Sequence, residues 1–436
     1  MSTLKAGAGM TDITPPLGTS LAGYFQDRKA TDVHDNTHCR ALVLDNGDAR
    51  VAIACCDLIA AQRKYVDRAK QTIAERSGIP PDHTLICCTH THTGPSPCGL
   101  LGTPGEPGYM EWLVPRIADA VQLAVNRLQD ACIGYGVGSE PSQVFNRRYL
   151  LKDGRTVMNP GRRNPDIVKP MGPTDPAVTV LVAQTPHGEP IALVANYTLH
   201  YVGTPEPTAV SADYFGAFSE AVQRLAGGRF VAMMTNGCCG DVNNVDVFHD
   251  QPGEGVPYGR MYRVASILAA EALKVWRQME FTDSARLAGA SSELTLARRT
   301  SPPEQLEADR RLVQDPPEKT PWRDIVYARE RLLVDALPPT EDTWISAMAI
   351  NDLALVGLPG EVFVELGLEI KQQSPFEHTA TVELANDYVG YVPTPRAFEE
   401  GSYETELARS SRLVPEAGPA MVAEALRLLG EIAPPE

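Results

Sequence analysis

The chain has 436 residues, of which 43% are hydrophobic and 22% charged, and its formal net charge is −16. This composition is typical of a globular protein, whereas so acidic a surface is repelled by nucleic acid and by anionic membranes, so we expect neither as a stable partner. The sequence holds no apolar run long enough to span a bilayer and no signal-peptide core, so we expect a cytoplasmic protein.

Short apolar runs alternate with runs of helical periodicity along most of the chain. The strands predicted in chain order are RALVLD, RVAIACCDL, TLICCTH, VTVLVAQ, IALVANYTLH, RFVAMMTN, WISAMAI, LALVGL and TATVELAN. Helices are predicted over residues 61–75, 109–129, 214–225, 258–278, 324–336 and 419–432. This alternation predicts an α/β fold: one large domain over residues 1–436 with mixed β-sheets flanked by helices.

Two segments depart from the alternation. Residues 142–173 read as a loop rich in Arg, Asn, Gly and Pro, and residues 297–340 hold a charged helical pair that we interpret as an excursion from the domain. Within the first segment, seven basic side chains face only Asp153 and Asp166; they are Arg147, Arg148, Lys152, Arg155, Arg162, Arg163 and Lys169. Arginine binds carboxylate and phosphate with two parallel hydrogen bonds, so this segment either captures an anionic small substrate or is an ordinary solvated loop.

Several predicted strands run directly into polar side chains. The runs and the residues that follow them are VAIACC with Asp57, TLICC with His90 and His92, IALVANYTL with His200, FVAMMTN with Asp241 and Asn243, LALVGLPG with Glu361, and VELANDYVGY with Tyr388 and Tyr391. In α/β sheets, ligands bind beyond the carboxyl ends of the strands. Segments far apart in sequence are therefore expected to bring these side chains to one place.

The histidines of THTHTGP are the first candidates for metal binding. Residues i and i+2 of an extended segment point to the same face, so His90 and His92 suit a shared metal, or a metal ligand beside a general acid–base. A hydrogen-bonded pair near a turn is the alternative interpretation. Catalytic zinc typically has three protein ligands and one open position for water, and His90, His200 and Glu361 are of the right types.

The ordered motifs THTHTGP, NRRY, GPTDPAV, YTLH, SADYFG, GDVNN, LPGE and NDYVGY resemble the catalytic domain of the neutral ceramidases, a family of zinc-dependent amidases. The resemblance spans roughly residues 6–417. It implies that His90, His200, Glu361 and a tyrosine of NDYVGY bind zinc, with Tyr391 preferred and Tyr388 as the alternative.

The resemblance also implies roles for residues that do not bind the metal. His92 would stay off the zinc and face the scissile group, Arg147 would line the substrate pocket, and Tyr403 would be a further active-site tyrosine. The sequence departs from the family at Asn243, where ceramidases carry the serine assigned as nucleophile. Cys238 and Cys239 lie nearby in sequence, and we expect them to be buried structural thiols.

Further departures concern the substrate. We expect no carboxyl-terminal immunoglobulin-like domain of the kind that ceramidases carry, and no apolar lid for a lipid is evident. The leading hypothesis is therefore a zinc hydrolase that uses a zinc-activated water to cleave an amide, or a lactone or ester, of a small polar molecule, anionic if the basic segment binds it. A small-molecule substrate is the expected partner, and a homo-oligomer is compatible with the sequence.

In this hypothesis His92 transfers protons, Tyr403 or Arg147 stabilises the developing oxyanion, and Asn243 donates a hydrogen bond to the substrate or to the oxyanion. Further candidates for contacting the ligands or the substrate are His34, Asp57, Asp241 and Tyr388. The alternatives are a true N-acylsphingosine amidohydrolase, a zinc lyase, and a metal-binding protein without catalytic activity.

Overall fold

The computed structural model describes residues 4–96, 98–252 and 255–434, and in it several β-sheets are flanked by helices. The helices of these residues are α1 (Arg63–Ser77), α2 (Pro107–Asn126), α3 (Asp213–Ala226), α4 (Gly259–Gln278), α5 (Pro303–Gln314), α6 (Trp322–Asp335), α7 (Val364–Gln373), α8 (Pro395–Glu400) and α9 (Ala417–Ile432). The predicted mixed α/β class is confirmed.

The strands come mainly from the apolar runs of the sequence. They are β1 (Lys5–Asp12), β2 (Ser20–Leu21), β3 (Arg28–Lys29), β4 (Asp32–Val33), β5 (His38–Asp45), β6 (Arg50–Cys56), β7 (Thr84–Cys88), β8 (Gln129–Asp130), β9 (Cys132–Ser139), β10 (Phe145–Asn146), β11 (Arg148–Leu151), β12 (Thr156–Met158), β13 (Ile167–Pro170), β14 (Ala177–Gln184), β15 (Pro190–Tyr197), β16 (Ala209–Val210), β17 (Val231–Asn236), β18 (Val242–Asn243), β19 (Leu287–Ala297), β20 (Thr340–Ile350), β21 (Leu353–Gly357), β22 (Glu361–Val362), β23 (His378–Val382) and β24 (Tyr391–Val392).

Three of the sheets share one hydrophobic core. Their strand orders are β7-β6-β5-β1-β8, β17-β15-β14-β9 and β19-β20-β21-β23. In β5, Leu42 and Leu44 pack into the core common to the three sheets, whereas Ala41 and Val43 face the cluster formed with α1 and α2. Because side chains alternate along a strand, a sheet with both faces covered needs such a nearly continuous apolar run.

Helices cover the outer faces of these sheets. Helices α1 and α2 pack on the first sheet, α3 and α4 on the second, and α7 and α9 on the third. Each of the three sheets contains one parallel pair: β6 with β7, β15 with β17, and β21 with β23. The segments that leave the carboxyl ends of β7, β15 and β21 lead to His90, His200 and Glu361.

The segment of residues 142–173 differs from the predicted loop. It contains β10, which pairs with β18, and a small sheet in the order β12-β11-β13. These strands are two to four residues long and carry Arg, Asn and Pro, so no period-two apolar pattern marks them in the sequence. β11, β12 and β13 pair within the segment itself, whereas the partner of β10 is the distant β18, which only the folded structure brings beside it.

Helices α5 and α6 lie between β19 and β20 and pack against each other. Across residues 4–96, 98–252 and 255–434, every helix is too short or too polar to traverse a bilayer.

Candidate metal centre

Three buried histidines bring their Nε2 atoms together beyond the ends of β7 and β15. The Nε2 atom of His90 lies 3.1 Å from the Nε2 atom of His92 and 3.1 Å from that of His200. Glu361 Oε2 lies 3.3 Å from His90 Nε2 and 3.9 Å from His200 Nε2. The sequence-predicted set His90, His200 and Glu361 is therefore brought together, with His92 beside it.

The opposite ring nitrogens fix the tautomers of two of these histidines. His90 Nδ1 lies 2.8 Å from the Ile59 carbonyl oxygen, and His92 Nδ1 lies 3.1 Å from the Gly23 carbonyl oxygen. A carbonyl oxygen only accepts hydrogen bonds, so both Nδ1 atoms carry a proton, and in a neutral ring the Nε2 atom then presents a lone pair. Two lone pairs facing each other at 3.1 Å repel unless a proton or a cation lies between them, so the cluster is suited to bind one or the other.

His200 is oriented by a thiol that is itself held by a carboxyl group. Its Nδ1 lies 3.6 Å from Cys239 Sγ, and this thiol donates to Glu383 Oε1 at 2.7 Å. The other oxygen of Glu383 accepts hydrogen bonds from the backbone N–H groups of Cys239 and Val362. Burial is the main reason that the pKa of Glu383 is raised well above its usual value. The sequence predicts Cys239 only as a buried structural thiol, and it gives Glu383 no role because this residue lies inside the apolar run TATVELAN.

One buried carboxylate oxygen, Oε2 of Glu361, is orphaned because it lacks a hydrogen-bond partner, and this indicates that a metal ion fits between these groups. Glu361 Oε2 is buried and makes no hydrogen bond, while Tyr388 donates to the other oxygen, Oε1, at 2.8 Å. These three atoms, Glu361 Oε2 and the Nε2 atoms of His90 and His200, lie 3.1, 3.3 and 3.9 Å from one another, a spacing that would let His90, His200 and Glu361 hold one metal ion. The Nε2 atoms of all three histidines also lie close enough together to hold a metal ion.

The protonation states agree with metal binding. Burial, followed by the neighbouring His90, lowers the pKa of both His92 and His200 well below the usual value, so these rings are neutral. Burial raises the pKa of Glu361, but His90, Tyr391 and Arg147 outweigh that effect, and the net pKa is lowered. Neutral imidazoles and an ionised carboxylate are the forms that bind a divalent cation.

The backbone around the centre is constrained. His90 adopts the left-handed region with φ of 69°, which is strained for a residue with a side chain and is concentrated at functional sites. Gly23 has φ of 107°, and a Cβ built on it would lie 2.4 Å from His92 Nδ1, so glycine is required beneath that ring. On another side of the cluster, Tyr201 stacks on His92 with ring centroids 3.6 Å apart.

Comparison with known proteins gives matches among solved structures. No protein-family model and no curated protein matches the chain. The crystal structure of neutral ceramidase from Pseudomonas aeruginosa superposes with a TM-score of 0.76 at 20% identity, over 100% of this chain and 76% of the other. A ceramidase complexed with C2 superposes with a TM-score of 0.72 at 19% identity, over 98% of this chain and 75% of the other.

The chain has the fold of the neutral ceramidases. The fold predicted from the ordered motifs is thereby confirmed over the full chain. The roles of individual residues stay predictions, and their positions in this ceramidase-like fold are as follows.

A cavity of about 260 Å³ opens beside the histidines of the ceramidase-like fold. His92, His200, Arg147, Tyr391, Tyr403 and Asn243 line it. The Arg147 guanidinium donates to Glu404 Oε1 at 2.8 Å and to the Tyr391 hydroxyl at 3.0 Å. Glu404, which is fully buried, thus fixes Arg147 at the cavity wall, and it was not identified from the sequence.

The two candidate tyrosines occupy different positions. Tyr391 is the register partner of Glu361 in the short β22–β24 pair, and it lines the cavity with Tyr403, whose ring lies 5.7 Å away. Tyr388 instead bonds the Glu361 oxygen that does not face the histidines. Tyr391 is therefore the tyrosine on the cavity side, and Tyr388 is positioned to orient the carboxylate.

Asn243 lies in the cavity wall with part of its amide engaged. Its Nδ2 donates to Asn159 Oδ1 at 3.1 Å, and its Oδ1 accepts from the backbone N–H of Val245 at 3.0 Å. One N–H of the side chain remains for a bound substrate.

Three other candidates do not contact the histidines of the centre. Asp57 accepts hydrogen bonds from the Arg40 guanidinium and the His38 backbone. Asp241 accepts from Asn146 and from the Val364 backbone, so it joins β10 to the start of α7. His34 stacks on Tyr258 and lines a different cavity, with Asp35, His38 and Arg40.

Of the seven basic side chains between residues 147 and 169, Arg147 lines the cavity beside the histidines, whereas Arg148 is buried against Glu400 and Glu404 outside that cavity. The exposed members Lys152, Arg155 and Arg163 pair with Asp166, Asp153 and Asp250, respectively.

Proposed function

We propose that the protein is a zinc-dependent hydrolase that cleaves an amide bond of a small polar molecule. The observation that carries this proposal is the convergence of the Nε2 atoms of His90 and His200 with the orphaned Oε2 atom of Glu361. Two imidazoles and one carboxylate with space for water are a typical ligand set of hydrolytic zinc enzymes.

The substrate class is supported by the fold and the cavity. Both structural neighbours are ceramidases, which suggests amide hydrolysis on this scaffold. The cavity is about 260 Å³ and contains guanidinium, amide and phenol groups, which favours a small polar molecule over a lipid with two long chains. Lactones and esters, whose carbonyl groups react in the same way, belong in the same substrate screen.

The ligand residues have a distinct task. His90, His200 and Glu361 would hold zinc, which when bound lowers the pKa of a water molecule to near 7 and polarises a carbonyl oxygen. The Ile59 carbonyl, the Cys239 thiol and the Tyr388 hydroxyl keep these three side chains in the required orientations.

Proton transfer is assigned to His92. Its Nε2 is unprotonated because its Nδ1 donates to Gly23, so it can take a proton from the attacking water and give it to the leaving amine. Arg147 faces the same cavity and stabilises negative charge on the carbonyl oxygen. Burial raises the pKa of Tyr403, so its hydroxyl stays protonated and acts as a hydrogen-bond donor.

The attack is proposed to be direct, without an acyl-enzyme. Asn243 cannot act as an activated nucleophile. Burial raises the pKa of the Cys239 thiol well above its usual value, and this thiol is engaged with Glu383, while Cys238 packs in the hydrophobic core. Rapid-quench mass spectrometry during turnover should detect no covalent adduct, and Asn243→Ser should not increase turnover; a trapped acyl group on the protein would refute direct attack.

The proposed function is tested by metal analysis and a substrate screen on the same preparation. We expect about one zinc per chain and hydrolysis of soluble amides that is lost on chelation and restored by zinc. A protein that takes up zinc but hydrolyses no amide, lactone or ester would favour a metal-binding role. A protein with no zinc affinity would overturn the proposal.

A further inference from the structure

The charged side chains around the cavity are all of one sign. Among the described residues that line it, the charged ones are Arg147 and Arg323, and none is a carboxylate. The whole chain carries a net charge of −16, so a wall with two arginines and no acid departs strongly from the average surface. Such a wall concentrates anions.

Arg147 is already engaged by the protein. Its guanidinium is buried and donates to Glu404 and Tyr391. Its charge is largely balanced by Glu404 at 2.8 Å, which leaves Arg323 as the arginine available to recognise a second group of the substrate.

Arg323 is held in place by rings. Its guanidinium lies over Phe25, Tyr327 and Tyr403, with centroid distances of 5.4, 5.3 and 5.7 Å. About half of its side chain (49%) is exposed, and the carboxylate nearest to it, Glu406, lies 3.7 Å away and is equally exposed. The rings fix the plane of the guanidinium, while this long, solvated ion pair leaves N–H groups for a ligand.

Arg323 lies in the first turn of its helix. It is the second residue of α6, where the helix dipole disfavours a cation and favours an anion. Its neighbour Trp322 donates from Nε1 to the Phe25 carbonyl oxygen at 2.7 Å, and this bond fixes the first turn of α6 against the cavity wall.

We propose that the substrate carries a carboxylate in addition to its scissile amide, and that Arg323 binds this carboxylate and determines specificity for it. The inference rests on the proposed amide hydrolysis and names its substrate class, of which N-acylated amino acids are the simplest members. A planar guanidinium matches a carboxylate through two parallel N–H···O bonds.

The test compares N-acetyl amino acids with their carboxamides on zinc-loaded protein. We expect wild-type kcat/KM to favour the carboxylates by roughly tenfold to a hundredfold, the range for hydrogen bonds to a charged group. Arg323→Ala should abolish this preference, so that carboxylates and carboxamides react with similar kcat/KM, and Arg323→Lys should retain part of it. Arg310→Ala is the matched control, since Arg310 on α5 is similarly exposed and also pairs with a glutamate at 3.7 Å.

Binding is measured separately by calorimetry with the same compounds, so that failure of the inference and failure of the proposed function are distinguishable. Carboxylate-selective binding that requires Arg323, without turnover, would support the inference and refute amide hydrolysis. Turnover with no preference for carboxylates, or a preference that survives Arg323→Ala, would refute the inference alone. If the compounds are neither hydrolysed nor bound selectively, both the inference and the proposed function are refuted.

Discussion

The candidate metal centre and helix α6 both contribute residues to the cavity wall, and the centre and the α5–α6 pair are built differently. At the centre, His90, His92, His200 and Glu361 are buried, and protein groups orient all four. Helix α5 is largely exposed, α6 has one exposed and one buried face, both are rich in charge, and Arg323 reaches the cavity from the first turn of α6. The proposed chemistry thus lies in the buried part, and the proposed specificity in helices that the chain inserts between β19 and β20.

The carboxyl groups near the centre and those of α5 and α6 have different kinds of hydrogen-bond partner. In the surroundings of the centre, Glu383 and Asp213 accept hydrogen bonds from backbone N–H groups. In the helical pair, Asp309 is bound by Arg331, and Glu330 joins α6 to Arg409. The carboxyl groups near the centre are thus held by the backbone, whereas those of the helical pair are held by arginine side chains. The two regions should therefore respond separately to substitution.

The largest expected effect is at the ligands. His90→Ala, His200→Ala and Glu361→Ala should each lose tightly bound zinc and reduce hydrolysis to background, because two remaining ligands do not hold the ion. Zinc per chain by mass spectrometry and the rate with the best amide are measured together.

The control is His249→Ala, since His249 is exposed and pairs only with Asp246 among its described contacts. Circular dichroism separates loss of metal from loss of fold. Three ligand variants that all retain full, tightly held zinc would contradict the assigned centre.

A second prediction concerns the attachment of α6. Glu330 is fully buried and pairs with a partly exposed Arg409, so Glu330→Ala should destabilise α6 locally by about 3 kcal/mol, the lower end for a broken buried pair. Hydrogen exchange should accelerate in α5 and α6 while β14 and β15 stay protected, and zinc content should be unchanged. Glu307→Ala, at an exposed site on α5, is the control; equal loss of protection in the sheets would mean that the two regions are not separable.

A third prediction uses the buried carboxyl of Asp213. Burial raises its pKa from 3.8 to about 6, so the folded state binds more protons than the unfolded state between these values. Its contribution to stability is complete below pH 3.8 and is lost as pH rises through about 6, a loss of about 3 kcal/mol for a shift of this size. The free energy of unfolding of wild type relative to Asp213→Asn should fall over this range and then level off. A constant difference in urea titrations from pH 3.8 to 7 would contradict the assignment.

The smallest predicted effect concerns the adjacent thiols of Cys238 and Cys239, whose substitutions we expect to change zinc affinity differently. Cys239 contacts His200, whereas Cys238 packs in the core near α7. Cys239→Ala should weaken zinc binding by about 10–100-fold, as for other groups that orient a metal ligand. Cys238→Ala should leave zinc affinity unchanged and lower stability instead. Competition with a zinc chelator measures both, and equal affinities in the two variants would exclude a role for Cys239.

The sequence by itself determined most of the architecture. Apolar runs such as RVAIACC and IALVANY can be buried only as strands covered on both faces, and the predicted helices agree with the observed ones to within a few residues. The same runs predicted that His90, His200 and Glu361 would meet, because a polar residue that directly follows a buried strand lies at the carboxyl end of that strand.

The tertiary structure decided the contacts that connect distant segments. Nothing in the local pattern distinguishes Tyr388 from Tyr391, and only the β22–β24 register gives each its position beside Glu361. Likewise Glu383 and Arg323 lie in an apolar run and a charged helix, where sequence assigns them no task. Their positions behind His200 and over the cavity arise from packing between residues far apart in the chain, which local periodicity does not encode.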